Sequence, residues 1–146
     1  MSTPDPVSPN VCDQCGATVP EGTSCHDRFM ALLALDHSRK EPWGSRHALA
    51  FAVFTLQHAR DSSREQRERC LAILRRVYVE GEDLGHVTSA LRRQSATGLS
   101  ASPEPQRERP PTHFAVTIQD MGDFDAETYV AKLDAWCRAT LRAWSK

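Results

Sequence analysis

The 146-residue chain has little that would place it at once. No apolar run approaches the roughly 18 residues needed to cross a bilayer. The opening MSTPDP has neither the basic start nor the apolar stretch of a secretory leader. The expected compartment is therefore the cytoplasm, with no membrane partner. Charge of one sign is also missing: 18 basic against 19 acidic side chains give a formal charge of −1, which argues against a chain organised around polyanions or an acidic tail. There is no internal repeat. With 40% hydrophobic and 25% charged residues, the composition suits one ordinary domain that buries about two thirds of its unfolded surface.

Cysteine is present in an odd number. Cys12, Cys15, Cys25, Cys70 and Cys137 occur without an export signal, and a reducing compartment disfavours a disulfide framework. Metal binding or thiol chemistry is the better default. Cys137 falls inside a strongly periodic stretch and reads as a small buried apolar residue.

The hydrophobic pattern predicts a mainly α fold, a bundle of about five helices. Residues 1–10, rich in proline and small polar side chains, read as a flexible lead. Residues 11–94 read as a zinc-knuckle loop followed by the bundle. A first helix is expected over about 25–38 with Ser24 as N-cap, and a second over 47–58, apolar nearly all round and hence central. The spacing Ser63-x-x-Gln66 opens a third helix that runs to about residue 79, and Leu84, Val87 and Leu91 mark a fourth over about 83–94. Residues 95–111, rich in Ser, Pro and charge, read as a flexible linker. Beyond it, residues 112–146 are expected to pack on the same domain. There the alternation of Phe114, Val116 and Ile118 predicts one short β-strand, for which Ala17, Thr18 and Val19 offer the nearest extended partner. Phe124 and Tyr129 flank an N-cap at Asp125 and start a last helix that runs to the end of the chain.

The strongest chemical signal is Cys12-Asp-Gln-Cys15-Gly16. Two thiolates two residues apart, followed by Gly, can face one ion while the backbone turns tightly. A redox pair would sit at a helix start, whereas Gly16, Pro20 and Gly22 break any helix here. Tetrahedral Zn2+ needs two further donors. Cys25, at the mouth of the first helix, is the nearest, with His26 as its neighbour and rival. His47 and His58 stand at opposite ends of the second helix, about 16 Å apart along its axis, so both cannot hold one ion. A short connection packs the first two helices antiparallel and returns His58 to Cys25. The expected metal site is Cys12, Cys15, Cys25 and His58, with His47, His26 or Cys70 as alternatives for the last position. His37 and His47 with Asp36 could form an acid/base group, although surface or capping roles are the simpler reading. Trp43 is expected to pack across the first two helices, or to line a pocket beside His37 and His47.

The order Cys12-x-x-Cys15-Gly16, Cys25, His47-x-Leu49, Gln57-His58 and PPTHFAVTI before a Trp-bearing helix resembles a family of small bacterial proteins of unknown function. The resemblance spans about residues 11–144. It implies histidines at both ends of the second helix and another early in the third, where this chain has Cys70. It also implies an acidic residue at the position of Ala52, and that departure weakens any reading in which such an acid serves as a base here. The resemblance supports a metal site and supplies no substrate.

Three functional classes follow. The first is a structural zinc site in a helical binding or adaptor module, whose partner is a protein or a small molecule. The second is a zinc-dependent hydrolase or transferase with an open metal position, although no His-Glu-x-x-His spacing is present. A thiol-based redox or metal sensor is the third. Catalytic residues are not identified by the sequence. Nucleic acid is disfavoured as a partner, because the arginines between Arg60 and Arg93 are interleaved with acids and read as an ion-paired helix face. The linker would let the C-terminal elements cross to a second copy and form a homodimer.

Overall fold

The computed structural model describes residues 10–97 and 109–145. Residues 1–9 of the lead expected over 1–10 and most of the expected linker lie outside the described residues, while Asn10 is paired with Val19. Five α-helices account for most of what is described: α1 (Cys25–His37), α2 (His47–Gln57), α3 (Arg64–Tyr78), α4 (Leu84–Thr97) and α5 (Ala126–Trp144). The only sheet among the described residues is a two-residue ribbon, β1 (Asn10–Val11) antiparallel to β2 (Thr18–Val19), which closes the loop holding Cys12 and Cys15. The mainly α fold predicted by the pattern is therefore present. None of these helices is long and apolar enough to cross a membrane.

The helix boundaries follow local chemistry. Ser24 caps α1 by accepting from the Asp27 N–H, and Ser63 caps α3 by accepting from the Gln66 N–H, both at 3.0 Å. Phe124 and Tyr129 are buried on either side of the first turn of α5, as a hydrophobic staple requires. α4 runs three residues further than its apolar pattern indicates, to Thr97, and so takes in the first residues of the expected linker.

The strand expected over 113–118 does not form. Its apolar positions do turn inward, with Phe114 and Ile118 buried and Val116 half-buried. Yet the segment makes only one backbone bond to the cysteine loop, from the Phe114 N–H to the Cys15 carbonyl at 3.2 Å. β2 pairs with β1 alone among the described residues, and the ribbon gains no third strand. The polar groups of the segment are satisfied by side chains instead. Gln57 donates to the Val116 carbonyl at 2.7 Å and to Thr140 at 2.9 Å. Thr117 and Asp120 form a capping box that starts a 3-10 turn over Ile118–Met121. Alternation of apolar residues thus reported burial on one side, not sheet pairing.

α2 is the central element, packed against α1, α3 and α5. Leu49, Ala50, Ala52, Val53 and Leu56 are all buried. Its last turn is tied down by groups from elsewhere in the chain. The Leu56 carbonyl, among those a helix end leaves without an internal partner, accepts from the Trp144 indole N–H at 2.9 Å. Trp43 does not span α1 and α2. Its ring lies against Tyr129, centroids 6.4 Å apart, and its N–H donates to the Phe124 carbonyl at 2.9 Å, which fixes the entry to α5.

Trp144→Phe keeps most of the buried ring but leaves the Leu56 carbonyl without its donor. A loss of about 1–3 kcal/mol is expected in urea unfolding, with the denaturant slope unchanged.

Candidate metal centre

The loop between β1 and β2 is built around a tight turn. The Cys12 N–H donates to the Ala17 carbonyl and the Gly16 N–H to the Cys12 carbonyl, both at 2.8 Å. Gly16 adopts φ +81°, and a Cβ there would stand 2.7 Å from the His113 ring and 3.1 Å from the Thr112 carbonyl. Glycine is required twice over, by the left-handed backbone and by the close approach of residues 112–113. The loop is also tied to the turn that follows α2, two residues beyond His58. Gln14 accepts from the Arg60 N–H at 3.1 Å, and Asp13 pairs with the Arg60 guanidinium at 2.8 Å, which lowers the Asp13 pKa.

Into this loop α1 brings Cys25 at its first position, and the end of α2 brings His58. The donor atoms of Cys12, Cys15, Cys25 and His58 all lie within 4.8 Å of one another. The sulfurs of Cys15 and Cys25 are 3.7 Å apart. That is far beyond a disulfide bond of about 2.05 Å, and all five cysteines are free thiols. It matches the edge of a tetrahedron with zinc–sulfur bonds of about 2.3 Å, which is about 3.8 Å.

The histidine is oriented for the same task. Its Nδ1 lies 3.1 Å from the Phe54 carbonyl one turn back, the arrangement in which Nδ1 carries the proton and donates. Its Nε2 is buried and has no hydrogen-bond partner. A buried acceptor without a partner costs about 1–3 kcal/mol, and a metal ion is a partner that Nε2 can take. The ring is held by stacking as well: Phe29, Phe54 and His58 form a column with centroid spacings of 4.0 and 4.1 Å.

The electrostatics favour an ionised sulfur. Contact with Cys15, then His58 and a donor from Gln119, draws the Cys25 thiol well below its ordinary value against the opposing effect of burial. Cys15 moves upward in return, because two adjacent thiols resist ionising together. Gln119 donates to Cys25 at 3.5 Å from the irregular segment before α5. No sequence signal pointed to Gln119 or to the Phe29–Phe54 column, since each meets the cluster only through tertiary packing, and the spacing that singled out Cys12 and Cys15 did not indicate that Gln14 between them would accept from Arg60.

The rival donors fall elsewhere. His47 is at the other end of α2, and His26 is exposed beside Cys25. Cys70 is buried in α3, where it bonds Thr55, and burial pushes its thiol up to about 12; Cys137, buried in α5, is raised to the same value. Neither has the character of a reactive thiolate.

The chain matches the model of a family of unknown function, DUF5946, over residues 10–145, and belongs to that family. No curated protein and no solved structure matches it.

Gly16→Ala should destabilise the chain by about 2 kcal/mol or more in thermal or urea unfolding, whereas Gly22→Ala, at a left-handed position with open space around it, should cost only about 1 kcal/mol.

Proposed function

We propose that Cys12, Cys15, Cys25 and His58 hold one Zn2+ ion in a closed tetrahedral site, and that the chain is a metal-stapled helical binding module. The observation that carries this reading is the unpartnered Nε2 of His58, turned toward three free sulfurs while Nδ1 is engaged by a backbone carbonyl. Three soft thiolates and one imidazole suit zinc better than magnesium or calcium, which favour oxygen donors.

The role follows from where the donors come from. The loop, α1 and the end of α2 supply them, so a single ion links three segments that are distant in sequence. A site with four protein donors leaves no position for an activated water, which supports a structural role over a hydrolytic one. Binding energy at such a site is folding energy, because the unfolded chain does not preassemble the donors. In this reading the ion fixes the N-terminal loop against the helix pair and the bundle presents its surface to a ligand in the cytoplasm.

Metal analysis of purified protein is expected to give one zinc per chain. Cobalt substitution should give the intense thiolate charge-transfer and tetrahedral ligand-field bands of a three-sulfur, one-nitrogen site. Chelation should lower the melting temperature by about 10 °C or more. Cys12→Ser and His58→Ala should lose the ion and Cys70→Ser should keep it. Protein that arrives metal-free and melts at the same temperature with and without added zinc would refute the reading.

A further inference from the structure

The opposite end of the α1–α2 pair carries a second cluster, which shares no residue with the cysteine site. The last turn of α1, the connection to α2, the first turn of α2 and one face of α4 enclose a cleft of about 480 Å3. That volume is in the range of small-ligand sites. At its base lies Asp36, whose side chain is fully buried. One carboxylate oxygen is 3.0 Å from Nδ1 of His47, and the other has no hydrogen-bond partner. Burial raises the Asp36 pKa and the His47 contact opposes that rise.

A buried carboxylate is costly unless it is paired. Its partner is a ring that remains 43% exposed at the cleft. The contact assigns Nδ1 to Asp36 and leaves Nε2 as the nitrogen that can serve a ligand. His37 stands beside it, ring centroids 5.7 Å apart.

The remaining charges lining the cleft are Arg39 and Arg92. Neither is paired with a carboxylate among the described residues. The nearby Glu41 is engaged by Ser45 and Arg46. Arg39 also adopts φ +61° just after α1, a position where glycine or asparagine is usual. The backbone there is wedged against Gly44, where an added Cβ would come within 3.1 Å of Arg39. An arginine is thus kept in a left-handed conformation at the rim, and its guanidinium has no carboxylate partner among the described residues.

Two guanidinium groups without a carboxylate partner among the described residues and two imidazoles line a space whose only acid among those residues is turned to a histidine. Such a space suits an oxyanion of more than one charge, and the planar fork of arginine matches phosphate oxygens. We propose that this cleft binds the phosphate group of a small phosphorylated ligand. Arg39 and Arg92 anchor it, and His47, held by Asp36, is the directional donor. Protonated, His47 donates to Asp36 through Nδ1 and to the phosphate through Nε2. The cleft is larger than one phosphate group needs, so a phosphomonoester with a small organic part fits better than the free ion.

The test is calorimetric titration of the full, metal-loaded chain at low salt with phenyl phosphate, inorganic phosphate and succinate. Saturable binding is expected for both phosphates, tighter for the ester, with succinate at least tenfold weaker. Arg92→Gln and Arg39→Gly should each weaken the ester at least tenfold, while Arg142→Gln leaves it unchanged. Arg39→Gly should also raise the melting temperature by a few degrees, because glycine relieves the left-handed strain, so lost binding there cannot be lost folding. Asp36→Asn should weaken binding severalfold and shift the His47 ring-nitrogen resonances. Absence of saturable binding up to about 10 mM ester, equal affinity for succinate, or undiminished affinity in both arginine variants would overturn the proposal.

Discussion

The contact between Nδ1 of His58 and the carbonyl of Phe54 decides what the amino-terminal third of this molecule can do. It lies at the end of α2, where the last helical carbonyls need donors from outside the helix. By engaging one ring nitrogen it directs the other at Cys12, Cys15 and Cys25. A neutral imidazole can donate from one nitrogen only, so the tautomer, the ring plane and the identity of the free lone pair are settled by one backbone bond. The stack of Phe29 and Phe54 against the ring removes the remaining freedom of rotation.

The same turn of α2 organises the carboxyl-terminal part. Trp144 donates to Leu56, and Gln57 reaches the Val116 carbonyl and Thr140. Three consecutive residues therefore serve α5, the irregular segment before it and the cysteine loop. This convergence explains why a helix of eleven residues, too short to be stable alone in water, can be the centre of the fold. It also separates two chemistries along one rod. Soft donors gather at its carboxyl end, and a carboxylate–imidazole pair in a cleft lined by Arg39 and Arg92 gathers at its amino end, held there by the antiparallel course of α1.

Much of this was legible in the amino-acid order. Ser24 and Ser63 are at the helix starts their spacing indicated, and the near-continuous apolar run of α2 is central. The four donors meet because two antiparallel helices of similar length must return His58 to Cys25. What misled was Phe114-Ala-Val116-Thr-Ile118. A period of two records which side chains are buried, and a strand needs in addition an edge with free backbone groups. Here the backbone groups of the segment are taken instead by Gln57 and by the Thr117–Asp120 capping box. Trp43 was legible as a packing residue but not by partner, since the partner, the entry to α5, is some eighty residues away.

Local spacing and periodicity by themselves determined the helices, the Cys12–Cys15 turn with its obligatory glycine, and the return of His58 rather than His47 to the neighbourhood of Cys25, because each depends on neighbours within a turn or on the length of a short connection. Only tertiary packing decided that Asp36 is buried against His47, that Gln119 reaches Cys25, and that Arg39 and Arg92 face one space. Those relations join residues on different elements, and the physical terms that set them, desolvation of a carboxylate and the absence of a competing acid, exist only once the helices have closed around them.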